Sequence, residues 1–311
     1  MNVLITGGAG FIGSHIAEHL QGKATVRVLD NLRSGFRRNL DGLACEFIEA
    51  SILDREALRR AMTGVDYVFH LAAMISVPES MEKPREYAEI NTLGTLAVYE
   101  EAVRAGVKKL VLSSTSAVYG DNPMMPKVET MLPEPKSPYA VSKLDGEYYG
   151  RIFTETGRLP VACLRYFNVF GPRQDPGSAY AAAVPIFTHR AVQNEPLVIF
   201  GDGEQTRDFI YVKDIAAANM FFATQSPATG VFNVAYGQRI TVNALAETIV
   251  RLTGSRSDIR HAPERPGDVE HSLASVDKLL ATGFRPSGSF DDGLRATVES
   301  FVSRTAPPTH R

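Results

Sequence analysis

The 311-residue chain is 44% hydrophobic and 22% charged, a composition typical of a folded globular protein. Its 33 Lys and Arg nearly balance its 35 Asp and Glu, and the formal net charge of −2 argues against a general binder of nucleic acid or acidic membranes, which needs a basic surplus. The two cysteines, Cys45 and Cys163, are far apart in hydrophobic stretches, which excludes a disulfide scaffold and a cysteine metal cluster and fits a reducing compartment.

The first residues run directly into glycines without the basic segment, apolar segment and cleavage site of a secretory signal. No run of about 18 apolar residues is present to span a membrane. We therefore expect a cytoplasmic protein with no membrane segment, no nucleic-acid partner and no metal site.

Short apolar runs that are typical of buried strands alternate with helical patterns through the first half of the chain. The predicted strands are 3–5, 26–29, 67–71, 110–113 and 161–164. Between the first two, Ile12, Ile16 and Leu20 recur at helical spacing, and Gly22 is the predicted C-terminal cap. A later helix is predicted over 84–105. Continuous apolar strands that alternate with helices indicate an α/β fold with a doubly wound parallel sheet.

The pattern changes after Gly171 to loops rich in Gly, Pro and polar residues. A strand over 231–235 and a helix over 243–252, ended by Gly254, are predicted there. We predict a first domain over 1–170, to which a segment of about 205–240 returns, and a smaller C-terminal lobe over 171–311. The two parts are expected to interleave and to share a ligand cleft.

Three glycines follow the first predicted strand and open the first predicted helix. Gly7, Gly10 and Gly13 form the pattern G-x-x-G-x-x-G. In a strand–turn–helix–strand unit these glycines allow a tight turn, a bare backbone beside a pyrophosphate and close packing of helix on strand. The pattern predicts a dinucleotide site.

An acidic residue ends the second predicted strand. Asp30 stands about 20 residues beyond the glycines, where a carboxylate hydrogen-bonds both ribose hydroxyls and repels a 2′-phosphate. NAD is therefore the predicted cofactor in preference to NADP. Arg33, Arg37 and Arg38 lie just beyond and could soften that preference.

Two candidate catalytic residues lie in the segment 137–143. Ser137 and Pro138 are a good N-cap and first residue for a helix, so Tyr139 falls in the first turn and Lys143 lies four residues on, on the same face. A tyrosine of ordinary pKa, about 10, is a poor base at neutral pH. A neighbouring ammonium, the helix N-terminus and a cationic nicotinamide all favour the phenolate.

A hydroxyl residue stands at the end of the predicted strand 110–113. Such a C-terminal strand end faces the cofactor crevice of a parallel sheet, so Thr115 could hydrogen-bond the reacting oxygen and align it with Tyr139.

These residues, with five further motifs, resemble the extended short-chain dehydrogenase/reductase family. The further motifs are His70-Leu71-Ala72-Ala73, Arg165-Tyr166-Phe167-Asn168, Phe200-Gly201-Asp202-Gly203, Arg207-Asp208-Phe209 and Arg265-Pro266-Gly267-Asp268. The resemblance covers about residues 1–300 and implies a Rossmann domain with a smaller substrate-binding lobe. Within the family the chain is most similar to UDP-sugar 4-epimerases, especially those acting on N-acetylated hexosamines, through segments 76–78, 177–182 and 271–274.

The resemblance also implies a role for each matching residue. Tyr139 would take the proton of the sugar 4-hydroxyl while the C4 hydride passes to NAD, Lys143 would hold the nicotinamide ribose, and Thr115 would share the 4-oxygen. The implied NAD-binding residues are Gly7, Gly10, Phe11, Ile12, Gly13, Asp30, Asn31, Ser51, Ile52, Leu71, Ala72, Ala73, Tyr139, Lys143 and Tyr166. The implied substrate-binding residues are Ser76, Asn91, Thr115, Phe167, Asn168, Val198, Phe200, Arg207, Arg265, Asp268 and Ser272, with both arginines on the diphosphate.

The chain departs from the family pattern at Ala50-Ser51 and at Thr115, which stands where many epimerases carry serine and keeps the hydroxyl. The Gly-Asp pair that follows the third strand of relatives reads Ala50-Ser51, which weakens the expected hold on adenine. Related dehydratases and decarboxylases carry acids just after Thr115, where this chain has Ser116 and Ala117. Neither can act as an acid or base, so dehydration and decarboxylation are disfavoured.

Ser272 is expected to set the choice of sugar. Relatives restricted to non-acetylated sugars carry a bulky tyrosine there, and a serine leaves room for a 2-acetamido group. The favoured substrates are thus UDP-GlcNAc and UDP-GalNAc. A UDP-glucose or UDP-uronic acid 4-epimerase and a catalytically silent NAD sensor are the alternatives. The resemblance further implies a homodimer formed through helices over 84–105 and 137–156.

Overall fold

The structure is a computed structural model that describes residues 1–177, 182–264 and 270–305. The strands are β1 Asn2–Thr6, β2 Thr25–Asp30, β3 Cys45–Glu49, β4 Tyr67–His70, β5 Lys109–Thr115, β6 Val161–Tyr166, β7 Asn168–Phe170, β8 Leu197–Phe200, β9 Thr206–Arg207, β10 Phe209–Tyr211, β11 Gly230–Val234, β12 Ile240–Thr241 and β13 Ile259–Ala262. The α-helices are α1 Phe11–His19, α2 Arg55–Met62, α3 Val77–Glu82, α4 Pro84–Tyr87, α5 Gly94–Ala105, α6 Pro138–Glu155, α7 Ala183–Val192, α8 Val212–Thr224, α9 Val242–Thr253, α10 Asp277–Ala281 and α11 Phe290–Thr305.

A seven-stranded sheet forms the centre of the molecule, with the order β11-β6-β5-β4-β1-β2-β3. Every adjacent pair in it is parallel, and Val3 of β1 is in register with Val26 of β2 on one side and with Tyr67 of β4 on the other. The chain runs outward from β1 through β2 and β3 and then returns to β4 on the opposite side of β1. The predicted doubly wound parallel sheet is confirmed, and ligands of such sheets bind where the strand order reverses.

Helices cover both faces of this sheet. On one face α1 and α8 pack together, and a core that includes Ile16, Ile215 and Phe222 is fully buried between them and the strands. On the other face α2, α5 and α6 enclose a second core that includes Leu58 and Tyr99. Burial on both faces explains why the strands are continuous apolar runs rather than alternating ones.

Two predicted helical details are corrected by the structure. The helix expected over 84–105 is three consecutive pieces, because a π-helix, Ala88–Leu93, separates α4 from α5. The predicted cap at Gly22 is wrong: α1 ends at His19, and Leu20 is its cap in the right-handed conformation. Leu20 is fully buried, so it stays with the packed face of the helix, and Gly22, with φ of 73°, serves the turn that follows.

The C-terminal half builds a smaller lobe and also contributes to the large sheet. Three two-stranded sheets pair β7 with β10, β8 with β13 and β9 with β12. They pack with α7, α9 and α11 around an aromatic cluster of Phe170, Phe209 and Phe290. β11 and α8 lie instead on the large sheet. The division of the chain into two domains near residue 170 stays a prediction. Within the described ranges, no helix has the length and apolarity to cross a bilayer.

Candidate active site

A cavity of about 610 Å³ lies at the carboxyl ends of the central strands. Its volume is within the range of small-molecule and cofactor sites. It brings together all the residues that were predicted to bind NAD, which include the predicted catalytic residues Tyr139 and Lys143, with two further predicted residues, Thr115 and Phe167. These lining residues are Gly7, Gly10, Phe11, Ile12, Gly13, Asp30, Asn31, Ser51, Ile52, Leu71, Ala72, Ala73, Thr115, Tyr139, Lys143, Tyr166 and Phe167.

The glycine turn at the floor of the cavity has no room for side chains. Gly7 has φ of 71°, and a Cβ added to it would come within 2.6 Å of the Ala72 backbone nitrogen. A Cβ on Gly13 would lie 2.3 Å from the Gly7 carbonyl oxygen. Gly10 is the N-cap of α1 and offers no side chain to the N–H groups of the first turn. These groups are thus free to bind an anion such as a pyrophosphate.

The carboxylate at the end of β2 is fixed by main-chain donors. Asp30 is buried, and its Oδ2 and Oδ1 accept hydrogen bonds from the N–H of Ala9 (2.9 Å) and Leu32 (2.8 Å). Burial raises the pKa of this carboxyl, and the two N–H donors oppose that shift. A carboxylate can accept about four hydrogen bonds, so two acceptor positions remain for ribose hydroxyls. The glycine turn and Asp30 together fit NAD.

The arginines that could have favoured a 2′-phosphate have other partners. Arg33 lines the cavity but pairs with Glu79 (3.2 Å) and Glu86 (3.4 Å). Arg37 and Arg38 stack on the rings of Phe47 and Phe36, with guanidinium-to-centroid distances of 4.2 and 4.0 Å. The electrostatic case for a 2′-phosphate is correspondingly weak.

The segment after β3 departs from the family pattern but still reaches the cavity. Ser51 Oγ accepts a hydrogen bond from the Leu53 N–H at 3.2 Å. Ile52 is buried against Gly94, where an added Cβ would come within 2.6 Å of Ile52 Cδ1. Ser51 is therefore held by its own turn, and the next residue anchors that turn against α5.

The predicted catalytic residues converge from one helix and one strand end. Ser137 caps α6 by accepting a hydrogen bond from the Ala140 N–H (3.2 Å), which places Tyr139 in the first turn as predicted. Burial raises the pKa of Tyr139, and a hydrogen bond with the Thr115 side chain lowers it. In the protein by itself, burial thus opposes the phenolate that the sequence led us to expect.

Lys143 is fixed against the strand that carries Thr115. Its Nζ donates a hydrogen bond to the carbonyl oxygen of Ser113 at 2.8 Å. Burial lowers the pKa of Lys143 to about 8, while the nearby Glu147 carboxylate raises it. The ammonium form is therefore still present at neutral pH.

A buried ion pair behind these residues was missed by sequence reasoning. Glu147 accepts two hydrogen bonds from Arg165, at 2.9 and 2.6 Å, and a third from the Ser114 hydroxyl at 2.5 Å. Ser114 and Arg165 are register partners in β5 and β6. The available signal was the spacing: Glu147 follows Lys143 by four residues, so it faces the same strand.

Most of the predicted substrate-binding residues are not among the residues that line the cavity. Ser76 caps α3 by accepting from the Glu79 N–H (3.1 Å). Asn91 is buried, and its amide bonds both main-chain groups of Met74 and the Ser142 hydroxyl. Its hydrogen-bonding groups are therefore engaged within the protein.

The remaining predicted substrate residues belong to the smaller lobe. Val198 and Phe200 lie on β8, Asn168 begins β7, and Arg207 ends β9. The Ser272 N–H donates to the Thr206 carbonyl at 3.0 Å, which places Ser272 beside β9. Arg265 and Asp268, and most of the 177–182 motif, lie outside the described residues.

A sequence profile of the NAD dependent epimerase/dehydratase family matches residues 3–235. The chain belongs to this family. It superposes with a TM-score of 0.94 on a UDP-N-acetylglucosamine 4-epimerase from Methanobrevibacter ruminantium M1 in complex with UDP-N-acetylmuramic acid, at 44% identity over 98% of this chain and 99% of that one. For the UDP-glucose 4-epimerase from Thermotoga maritima with UDP-glucose, the TM-score is 0.93 at 41% identity, covering 98% and 100%.

A third structure bears on the cofactor. The UDP-glucose 4-epimerase from Thermus thermophilus in complex with NAD has a TM-score of 0.89 and 39% identity, with 99% of this chain and 100% of that chain covered. The predicted family, the enzymatic nature of this family member and its dependence on NAD are confirmed.

Proposed function

We propose that the protein inverts the configuration at C4 of a UDP-hexose through a transient 4-keto sugar, and that UDP-GlcNAc and UDP-GalNAc are its substrates. The observation that carries the proposal is the joint presence of Thr115, Tyr139 and Lys143 on the wall of the cavity that fits NAD. A threonine hydroxyl, a phenol and an ammonium are the groups that a carbinol needs for reversible removal and return of a proton.

Each of the three residues has a definable part in the proposed reaction. When bound, NAD supplies a reversible hydride acceptor with a positive ring. Tyr139 accepts the proton of the 4-hydroxyl in one direction and returns it in the other. Thr115, whose hydroxyl lowers the pKa of the Tyr139 phenol, orients the shared oxygen. The Lys143 ammonium favours the phenolate through its charge and can donate to the ribose of the dinucleotide.

The residues after Thr115 favour epimerisation over other reactions of the family. Ser116 and Ala117 lie in the short 3₁₀ turn Ser116–Tyr119, where the Ala117 N–H donates to Thr115 Oγ1 at 3.1 Å. Neither side chain can protonate a leaving hydroxyl or remove a proton from C5. This position therefore supplies no acid–base pair for dehydration.

The proposal is tested by one panel of substrates. The purified holoenzyme is incubated separately with UDP-GlcNAc, UDP-GalNAc, UDP-glucose, UDP-galactose and UDP-glucuronate, and the 4-epimers are resolved by NMR while absorbance at 340 nm is followed. We expect equilibration of the acetylated pair without accumulation of NADH. Stoichiometric NADH would contradict the mechanism. Equal or better rates on the non-acetylated sugars would contradict the substrate assignment, and failure on all five with NAD bound would favour a silent sensor.

The Ser272→Tyr substitution tests the basis of the sugar choice. A ring at this position is expected to fill the space of a 2-acetamido group, lowering kcat/KM for UDP-GlcNAc by roughly tenfold or more and leaving UDP-glucose conversion nearly unchanged. Steady-state rates on both sugars measure the ratio. Ser272→Ala is the matched control, because it removes the hydroxyl without adding bulk. A parallel loss on both sugars would instead indicate damage to the lobe.

We further propose that two copies associate through the adjacent helices α5 and α6 and the π-helix before α5. The π-helix and α6 are joined by a hydrogen bond from Thr92 Oγ1 to Asp145 Oδ2 at 2.8 Å. Their outer surface carries Leu93, Tyr148 and Ile152, which are 56%, 50% and 51% exposed. Apolar side chains grouped on one surface are typical of an interface, and a symmetric dimer would bury this surface against itself.

The Ile152→Arg substitution is expected to convert the dimer to a monomer, because it places a charge in the apolar interface. Light scattering coupled to size-exclusion chromatography measures the mass. Leu132→Arg, at an apolar side chain that is 76% exposed in the loop before α6, is the control and should leave the dimer intact. A wild-type protein that is monomeric at micromolar concentration would contradict this proposal.

A further inference from the structure

A fully buried carboxylate lies next to the predicted diphosphate-binding arginine and takes no part in the proposed chemistry. Asp208 stands between β9 and β10 and is 0% exposed. Its Oδ1 accepts the Tyr236 N–H at 3.2 Å, and its Oδ2 accepts the Gly237 and Ala274 N–H groups, each at 3.1 Å. One side chain thus joins three stretches of the chain: its own, the pair Tyr236 and Gly237, and the segment that contains Ala274.

The main chain of the same residue holds a fourth stretch. The carbonyl oxygen of Asp208 accepts hydrogen bonds from the backbone N–H of Asn168 at 3.1 Å and from its side-chain amide at 3.0 Å. Asn168 begins β7, directly after the cavity residue Phe167. Asp208 therefore connects the wall of the cofactor cavity to the smaller lobe.

The segment that carries Ser272 is held against β9 by several hydrogen bonds on the N-terminal side of Ser272, among them the Thr206 N–H to the Glu270 carbonyl (3.0 Å), and by Asp208 on its C-terminal side. The Ser272 N–H donates to the Thr206 carbonyl (3.0 Å), and two residues later the Ala274 N–H donates to the Asp208 carboxylate (3.1 Å). The Ala274 contact is the one that fixes the segment to β9 and its neighbour after Ser272, since the other contacts involve residues 270–272. The position of Ser272 relative to Arg207 thus depends in part on Asp208.

Only a carboxylate can serve this arrangement. Its two oxygens offer about four acceptor positions and no donor, whereas an amide would turn one N–H₂ group toward N–H donors. Burial raises the pKa of Asp208 to about 6, and backbone N–H donors such as Ala274, Tyr236 and Gly237 oppose that shift. The group is therefore ionised at neutral pH, although a buried charge is costly to retain.

We propose that Asp208 is a positioning residue of the UDP-sugar site, which fixes Asn168, Arg207 and the Ser272 segment relative to one another and so sets substrate affinity and sugar selectivity. This inference rests on the proposed function. Asp208 contacts none of the reacting groups, so its effect acts through the residues it holds.

A second buried carboxylate provides a matched control. Asp214, at the start of α8, is 2% exposed and accepts hydrogen bonds from the N–H groups of Ser287 (2.8 Å) and Gly288 (3.2 Å) and from the Tyr236 hydroxyl (2.5 Å). It matches Asp208 in burial and in its main-chain donors. Its carboxylate, however, makes no hydrogen bond to the Ser272 segment, whereas the Asp208 carboxylate binds Ala274, two residues after Ser272.

The test compares Asp208→Asn with Asp214→Asn in the full-length holoenzyme. In Asp208→Asn we expect KM for the UDP-sugar to rise roughly tenfold, because buried N–H groups lose their acceptor. The kcat and the bound NAD content should stay close to wild type, and the preference for the acetylated sugar should narrow.

In Asp214→Asn the thermal midpoint should fall while KM and selectivity are retained. Asp208→Glu keeps both oxygens and should recover part of the lost affinity; it replaces Asp208→Asn if that variant does not fold.

Titration calorimetry with UDP separates failure of this inference from failure of the proposed function. If wild type epimerises no UDP-sugar, the proposed function fails, but tighter binding of UDP to wild type than to Asp208→Asn still supports the positioning role. Equal UDP affinity and equal KM in wild type and Asp208→Asn would overturn the inference. An equal rise in KM for Asp214→Asn would also overturn it, because the effect would then reflect general loosening of the lobe.

Discussion

Replacing Tyr139 by phenylalanine is expected to lower kcat by roughly 10²- to 10⁴-fold, the usual contribution of a general acid–base residue. The change removes one oxygen and leaves the ring, which packs edge-on against Tyr87 with centroids 6.5 Å apart. Bound NAD and UDP-sugar affinity should therefore be retained. Turnover is measured with UDP-GlcNAc, and NAD content is measured after release by denaturation.

Tyr87→Phe provides the control for this prediction. It removes a hydroxyl from the neighbouring ring, where that hydroxyl donates to the Ser76 carbonyl at 2.7 Å. Burial and the nearby Glu79 raise the pKa of Tyr87 to about 12, so this phenol is unsuited to accept a proton as a base at neutral pH. We expect lower stability with kcat close to wild type. Near-normal turnover in Tyr139→Phe would remove Tyr139 as the base, and an equal loss in Tyr87→Phe would attribute the effect to packing.

Replacing Gly13 by alanine is expected to abolish NAD retention and to lower the free energy of unfolding by more than ~3 kcal/mol, at or beyond the upper end of ordinary overpacking. The new methyl would lie 2.3 Å from the Gly7 carbonyl oxygen and 2.7 Å from the Gly8 Cα. Both contacts are with backbone, which cannot swing aside as a side chain can. The turn must open, and the N-terminus of α1 then moves away from the pyrophosphate position.

Gly22→Ala is the matched control for that substitution. Gly22 lies three residues after the end of α1, has φ of 73° and has no atom within 4 Å of an added Cβ. Alanine there meets only the cost of a left-handed conformation, about 1–2 kcal/mol. Chemical denaturation and the NAD content of the purified proteins compare the two variants. Full NAD occupancy in Gly13→Ala would contradict the role given to the turn.

The cofactor side of the cavity could be predicted because its determinants are local. The glycines, Asp30 and the pair Tyr139/Lys143 each lie within a short segment whose backbone conformation follows from spacing and capping. The parallel sheet then brings strand ends together at one edge, so Thr115 could be predicted to lie near Tyr139 from its place at the end of a strand. The sequence therefore contained enough to place this part of the cavity.

The features that were missed depend on contacts between distant segments. No short-range pattern shows that Glu147 on α6 meets Arg165 on β6, or that Asp208 binds the N–H of Ala274, 66 residues away. The π-helix that interrupts 84–105 is only six residues long, so its wider turn is too short to change the apolar periodicity of the segment. The substrate-binding residues rested on resemblance alone, and their roles stay predictions.

The buried amine of Lys143 lowers the stability of the folded chain. Burial lowers its pKa to about 8, below the ordinary value of 10.5, so the unfolded chain holds this proton more tightly than the folded one. This difference lowers the free energy of unfolding by its full amount below pH 8, and the loss disappears only as pH rises above 10.5. A methionine there would relieve this penalty and lose the charge that the proposed reaction needs. Under the proposed mechanism, the chain retains a buried charge for catalysis at the expense of thermodynamic stability.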